Sequence, residues 1–391
     1  MKKRTIYILL AGNMIGGINY GVMFTMLDNF RDKYHITESA LGVIVAIGFF
    51  TSFLMQILVA PHADRGHAKR IVVVGAIMQG LGAIAMAMGH VFWVLAIGRF
   101  AMGIGTGLAY PAVRRIIISG DPNNVGHNLG LMLSTDVGGF ALGPVVSAIL
   151  LPMFGIPAPF IAVAIATGVV LVLILMQHVD EVSAEDAPTE KLAFDLLRIK
   201  PLLGAVLIGL ALFLMIGTFD SLWSVMMDDL HASQWIANLG ITLFALPLIV
   251  LGPRGGRFAE TIGPFKASIG GLAIGAFFIT SYGFVPWPIV MLIIGTIHGV
   301  VDGLTVTGGS MAIALVSPSN RIASAQGLYG GLQVLTAGVA ATFAGWEYQH
   351  LGRFATFMIT GATMLCLVGS GSFLARESLH LTGNGEGPVA A

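Results

Sequence analysis

The chain has 391 residues, of which 56% are apolar and only 10% charged, against about 25% charged in ordinary soluble domains. That balance excludes a soluble enzyme and a disordered chain. Lys plus Arg and Asp plus Glu both total 20, so no surplus of cation exists to neutralise a nucleic acid, and the single cysteine, Cys366, excludes an internal disulfide and any cysteine-built metal cluster.

In chain order, apolar stretches of about 20 residues, enough to cross a hydrocarbon layer of about 30 Å, fall at 5–27, 38–60, 71–89, 92–117, 128–151, 157–177, 203–225, 233–252, 267–284, 287–315, 324–345 and 354–375. In lipid every backbone N–H and C=O needs an internal partner, and runs this long meet that demand as helices, not as barrel strands of about 10 residues. The prediction is an all-α membrane protein of twelve transmembrane helices. The opening Lys2-Lys3-Arg4 before an apolar run resembles a secretory leader, but no small-x-small cleavage site closes it, so an uncleaved first span is expected.

Basic residues set the orientation. With the N-terminus inside, sixteen of the twenty fall on the inner side, among them Arg65, Lys69, Arg70, Arg114, Arg115, Lys191, Arg254, Arg257, Lys266 and Arg321. Both termini are then cytoplasmic and the protein sits in the cell membrane.

One sizeable polar segment, 178–202, is rich in Asp, Glu and Ala and ends near Pro201, which reads as a cytoplasmic linker. It divides a bundle at 1–177 from a second at 203–376, with a tail at 377–391. The halves match: Leu41-Gly42 with Leu239-Gly240, Asp64 with Glu260, Arg70 with Lys266, Gly98 with Gly295, and Leu129-Gly130 with Gln326-Gly327, all at offsets of 196 to 198 residues. Repeats of this kind predict two pseudo-symmetric six-helix bundles with a binding site near the midplane between them.

The loop after the second span reads Ala60-Pro-His-Ala-Asp64-Arg65-Gly66-His67-Ala-Lys69-Arg70, and Gly256-Arg-Phe-Ala-Glu260-Thr-Ile-Gly263 repeats its pattern in the second half. This resembles the inner-loop signature of the major facilitator superfamily. Arg99-x-x-x-Gly103 in the fourth span is similar to the arginine motif of its proton-coupled members. Gly130, Gly139 and Gly143-Pro144 in the fifth have the spacing of the motif found in drug/proton antiporters, with Ser147 and Ala148 where that motif has two glycines. The resemblance covers essentially the whole chain and implies alternating access driven by a proton or substrate gradient. It also implies a gating role for Asp64, Arg65, Arg70, Glu260, Gly139, Gly143 and Pro144. Arg65 and Arg70 are read first as orientation charges, with gating as the alternative, and Asp64 is equally well read as a cap on the third span.

Ionisable side chains inside spans are costly, so each is a functional candidate. Asp136 sits about 12 Å from the inner boundary at 1.5 Å per residue, and Arg99 reaches in from the other side, which makes an Arg99–Asp136 pair the preferred arrangement; the alternatives are a structural carboxylate that pins adjacent helices at Asp136 and a hold on neighbouring carbonyls by Arg99. His298 and Asp302 are four apart on one helical face and form a pair that can pass protons. Asp220 lies beside Trp223 near the outer boundary. Asn13, Asn19, Tyr20, Tyr329 and Gln333 are candidates to line the cavity, with ties between helices as the alternative for each. No hydrolase, nucleotide-cradling or metal-ligand pattern occurs, and Gly103-x-Gly105-x-Gly107 lies within a span, where glycines thin a helix for packing.

The expectation is a cofactor-free, monomeric transporter, not an enzyme, that exports small amphipathic or lipophilic molecules in exchange for protons. A proton-coupled uptake symporter for a small metabolite or anion, and an uncoupled facilitator, are the alternatives.

Overall fold

The computed structural model describes residues 3–181, 187–190 and 192–382. Lys2 and Lys191, counted in the charge bias, and the tail from 383 lie outside them. The regular structure of the described residues is helical, with short loops between the helices. We number the spans α1 (Lys3–Thr25), α2 (Glu38–Leu58), α3 (Ala68–Met88), α4 (Phe92–Gly120), α5 (Val125–Phe154), α6 (Pro157–Leu175), α7 (Lys200–Asp229), α8 (Gln234–Ile262), α9 (Pro264–Ser281) and α10 (Pro288–Thr305, continued by Thr307–Val316). The last helical stretch, Ile322–Leu374, turns at Gly352 (φ 80°, ψ 167°), which separates α11 from α12.

Local chemistry sets these boundaries. The Thr37 hydroxyl caps α2 by accepting from the Ala40 N–H. Proline stands in the first turn of α6, α7, α9 and α10, where its missing N–H has no helical partner to lose. Glycines with positive φ end elements at Gly66, Gly155, Gly263 and Gly352.

Ten helical segments among the described residues are long and apolar enough to cross a membrane, and one of them, Ser319–Leu374, holds both α11 and α12. With α8, 29 residues long, every predicted span has its helix. Their outer surfaces suit lipid as solvent: Phe277 and Phe373 are about two-thirds exposed, and Phe50, Trp93 and Met176 are exposed as well.

The chain divides into two compact units. The first comprises Met1–Pro122, Thr135–Ala193 and Asn320–Gly331. Within it α4 packs on α2 and α3, and α6 on α1 and α3, around a core of Met23, Met26, Phe30, Ile44, Met86 and Phe160. Here α1 and α5 touch backbone to backbone, with Gly17 and Gly21 facing Gly139 and Gly143. The triple glycine of α4 packs as expected, Gly103 and Gly107 on α2 and Gly105 on α3. The second unit comprises Asn123–Ser134, Phe194–Ser319 and Leu332–Ala391. Within it α10 packs on α8 and α9, and the start of α5 lies on α8 through Gly126 and Gly130 against Gly256 and Gly252. The first turns of α11 thus belong with the first unit and the first turns of α5 with the second.

Candidate functional site

The α2–α3 loop folds as a 3-10 turn, Ala60–Arg65, closed by Gly66 at φ 78°. It delivers Asp64, 1% exposed, to the start of α11. One carboxylate oxygen accepts from the Ala323 N–H at 2.8 Å, the other from the Ser324 N–H and hydroxyl, both at 2.7 Å. First-turn amides lack helical acceptors and sit at the positive end of the helix dipole, so the acid satisfies both needs at once. Arg115 Nε, 3.3 Å from Asp64 Oδ1, balances the charge.

This corrects one expectation. Asp64 caps α11, not α3; the amides at the start of α3, Ala68 and Lys69, are taken by Glu181 of the linker at 3.1 and 2.7 Å. The same kind of cap recurs in the second unit, where Glu260 Oε1 accepts from Gly126 N–H, in the first turn of α5, at 2.5 Å. Asp64 matches Glu260 and Gly126 matches Ala323 at the spacing of the sequence repeat. Arg65 donates to the carbonyls of Pro188, Thr189 and Glu190, binding the described part of the linker to the loop, whereas Arg70 is exposed.

Asp136 is half-buried on α5. Its Oδ2 accepts from the Tyr110 hydroxyl of α4 at 3.2 Å. The ring of Tyr110 carries the Arg114 guanidinium at 4.4 Å from its centroid, and Arg114 Nη1 donates to Gln326 Oε1 of α11 at 3.2 Å.

The preferred Arg99–Asp136 pair is not formed. Arg99, 1% exposed, lies 4.7 Å from the Tyr20 ring centroid and 5.7 Å from that of Phe49, against the backbone at Gly48. Its Nε and Nη2 have no hydrogen-bond partner among the described residues. The two rings compensate its charge in part. Tyr20 packs in turn with Phe24 and Phe140.

In the second unit, His298 and Asp302 are 1% and 2% exposed. They stand on one face of α10 with Nε2 3.7 Å from Oδ2, as their spacing predicts. Nδ1 lies 3.4 Å from the Tyr282 hydroxyl, and Phe244 and Phe278 flank the imidazole. Asp302 Oδ1 has no partner among the described residues. Asp220 is exposed on α7.

Asn19, wholly buried, donates to Gln79 Oε1 at 2.9 Å. Gln79 in turn donates to Thr106 at 2.9 Å, so the three tie α1, α3 and α4. Gln333, 3% exposed, donates to the Gly209 carbonyl at 3.2 Å and ties α11 to α7. Asn13 donates to Thr135 at 3.2 Å, and Tyr329 is 2% exposed. Pro144 lies within α5 next to the Gly143–Gly21 contact. Among the described residues no group of His, Cys, Asp and Glu is placed to hold a metal.

Tyr110 and Tyr282 do not stand out in the sequence, and Arg114 and Arg115 read there as orientation charges alone. The signal for Tyr110 was present: it and Arg114 are four apart on one helix. For Tyr282 no spacing rule points at His298 on the next helix.

Apolar helices long enough to cross a bilayer, buried acids within them and the same acid-on-helix-start contact made twice define a polytopic membrane transporter. The Major Facilitator Superfamily model matches residues 9–223 and 205–387, and the chain belongs to that family. It is a secondary transporter, not an enzyme. It is 23% identical over 334 residues to the multidrug resistance protein MdtG of Escherichia fergusonii, covering 82% of each chain. With MdtG of Proteus mirabilis the identity is 22% over 290 residues, covering 71% of this chain and 72% of that one. Among solved structures, the proton:xylose symporter XylE superposes with a TM-score of 0.79 at 15% identity, over 97% of this chain and 96% of that one. The human organic anion transporter MFSD10 gives a TM-score of 0.77 at 15% identity, over 94% and 99%. At such identities these likenesses concern the fold.

Proposed function

We propose that this transporter exports small amphipathic or lipophilic molecules in exchange for protons, by alternating access, in the cell membrane with both termini cytoplasmic. The observation that carries the reading is the state of two acids at mid-span: Asp136 and Asp302 each have polar company, Tyr110 and His298, but among the described residues neither is held in a close ion pair with lysine or arginine. An acid free of such a lock can alternate between charged and neutral forms, and proton relay is one of the functions for which lipid-embedded helices keep an acid. Export is supported by the glycine spacing of α5 and by the multidrug resistance for which the MdtG relatives are named.

A second reading has its own support. The buried Arg99, with two nitrogens unpartnered among the described residues and an aromatic cluster beside it, suits a substrate that joins an anionic group to an apolar body. That observation favours anion recognition with either direction of coupling.

Proteoliposomes loaded with rhodamine 6G separate these. Under an imposed proton gradient the purified protein is expected to move dye against its own gradient, and collapsing the proton gradient with nigericin stops it. Asp136→Asn and His298→Ala are expected to cut driven flux by about tenfold or more while leaving dye binding within about twofold. Full coupled flux in both variants contradicts the proton assignments. Failure of the dye combined with gradient-driven movement of an aromatic carboxylate such as salicylate transfers the weight to the second reading.

A further inference from the structure

Two adjacent arginines at the end of α4 reach the same turns of α11 by different routes. Arg115 does so through Asp64, which holds Ala323 and Ser324. Arg114 does so directly, through Gln326, two residues further on and 1% exposed. The first route contains no group from the mid-span site. The second contains one: Tyr110, whose ring carries Arg114 and whose hydroxyl is bound to Asp136.

We infer that Tyr110 and Arg114 are positioning residues that make the hold on the first turns of α11 depend on the protonation of Asp136. The inference rests on the proton-coupled reading. With Asp136 ionised, its charge draws on the Arg114 guanidinium, and its Oδ2 fixes the Tyr110 hydroxyl. The ring is then held as the shelf from which Arg114 reaches Gln326. When Asp136 takes a proton, the attraction disappears and its own O–H competes as a donor. The shelf loses its anchor and Gln326 its charged donor.

Among the described residues, the titratable groups that bear on the charge of Asp136 are Tyr110, which donates to it, and Arg114, both from α4. Helix α1, packed on the same stretch of α5 through Gly17, contributes the uncharged Asn13 nearby, bound to Thr135. A charge change at Asp136 is therefore felt mainly along one line. That line ends where Gly327, Gly330 and Gly331 bring α11 close to Gln56, Ile57 and Ala60 of α2 and the loop after it. So close a contact has little slack to absorb a shift in Gln326.

The test is a distance measurement on the full chain in lipid nanodiscs. Spin labels are placed at His67→Cys and Asn320→Cys, both exposed positions, after Cys366→Ser removes the native thiol. Between about pH 8 and about pH 3.5, a range that spans the ordinary aspartate value, the parent is expected to switch from a short to a long label distance. Asp136→Asn is expected to show the low-pH distribution at both ends. Tyr110→Phe and Arg114→Gln are expected to lose most of the switch, while Arg114→Lys, which keeps the charge, retains it; a purely structural arginine would fail equally in both substitutions. If Arg114→Gln and Tyr110→Phe switch like the parent while Asp136→Asn does not, the relay is overturned and the proton reading stands. If Asp136→Asn also switches like the parent, the proton reading of Asp136 falls with it. Having two independent variants, each checked for a parent-like melting temperature, keeps the result interpretable should one fail to fold.

Discussion

A Cβ on Gly143 would fall against the Cα and carbonyl carbon of Gly21 and the nitrogen of Val22, and one on Gly139 against the carbonyl of Met14. No flexible side-chain end is available to move aside, so the cost of a methyl group is backbone separation. Gly143→Ala is expected to lose about 1–3 kcal/mol through overpacking, measured as a lower melting temperature in detergent. Gly168→Ala in α6, where a Cβ meets nothing within 4 Å, serves as the comparison and should melt at or slightly above the parent, since alanine favours the helix by up to about 1 kcal/mol. The acids and the histidine of the spans were legible in the sequence because an ionisable group in an apolar run stands out by cost alone. Their partners were less so. Arg99 was expected at Asp136 on depth arguments, yet depth does not fix the side of a helix, and Arg99 lies under the Tyr20 and Phe49 rings instead. Arg114 and Arg115 were hidden by an adequate simpler reading, since basic residues at a span end already have a reason to be there.

The start of α11 is a helix terminus completed from elsewhere in the sequence. Removing Asp64 leaves the Ala323 and Ser324 amides without their acceptor and Arg115, 5% exposed, without its counter-charge. Breaking a buried pair from one side costs about 3–5 kcal/mol, so Asp64→Ala is expected to lower the unfolding free energy by that order in a denaturant titration. Asp64→Asn, which still offers an acceptor oxygen, should lose clearly less; equal losses in the two would mean that the cap contributes little. The α11–α12 corner works differently. A Cβ at Gly352 would meet nothing within 4 Å, but the φ of 80° with ψ of 167° found there is a conformation that side-chain-bearing residues avoid. Gly352→Ala should therefore cost about 1–3 kcal/mol through backbone strain alone, detectable as a lower melting temperature. The sequence showed α11 and α12 as two apolar runs with a polar gap. It did not show that one glycine makes the turn, because a glycine's backbone angle leaves no periodic trace.

At the level of the full chain, hydropathy determined the architecture because lipid admits few alternatives: long apolar runs must be helices, and every predicted span has one. The repeat was also legible, and its physical content is now visible as a contact made twice, Asp64 on the start of α11 and Glu260 on the start of α5. What the sequence could not convey is which segments those contacts recruit. Cutting the chain at the linker follows charge and composition, whereas the compact units exchange the first turns of α5 and α11, a result of tertiary packing with no local signature. The proposed exchange requires that substrate movement and proton movement be one process, with Asp136 and Asp302 carrying the proton. It is tested most directly by reconstituting the protein with a pH-sensitive dye in the lumen and adding rhodamine 6G with no imposed gradient. A proton flux opposite to the rhodamine flux is expected, absent in the Asp136→Asn/Asp302→Asn double variant; rhodamine movement with no accompanying change in lumenal pH would contradict proton exchange.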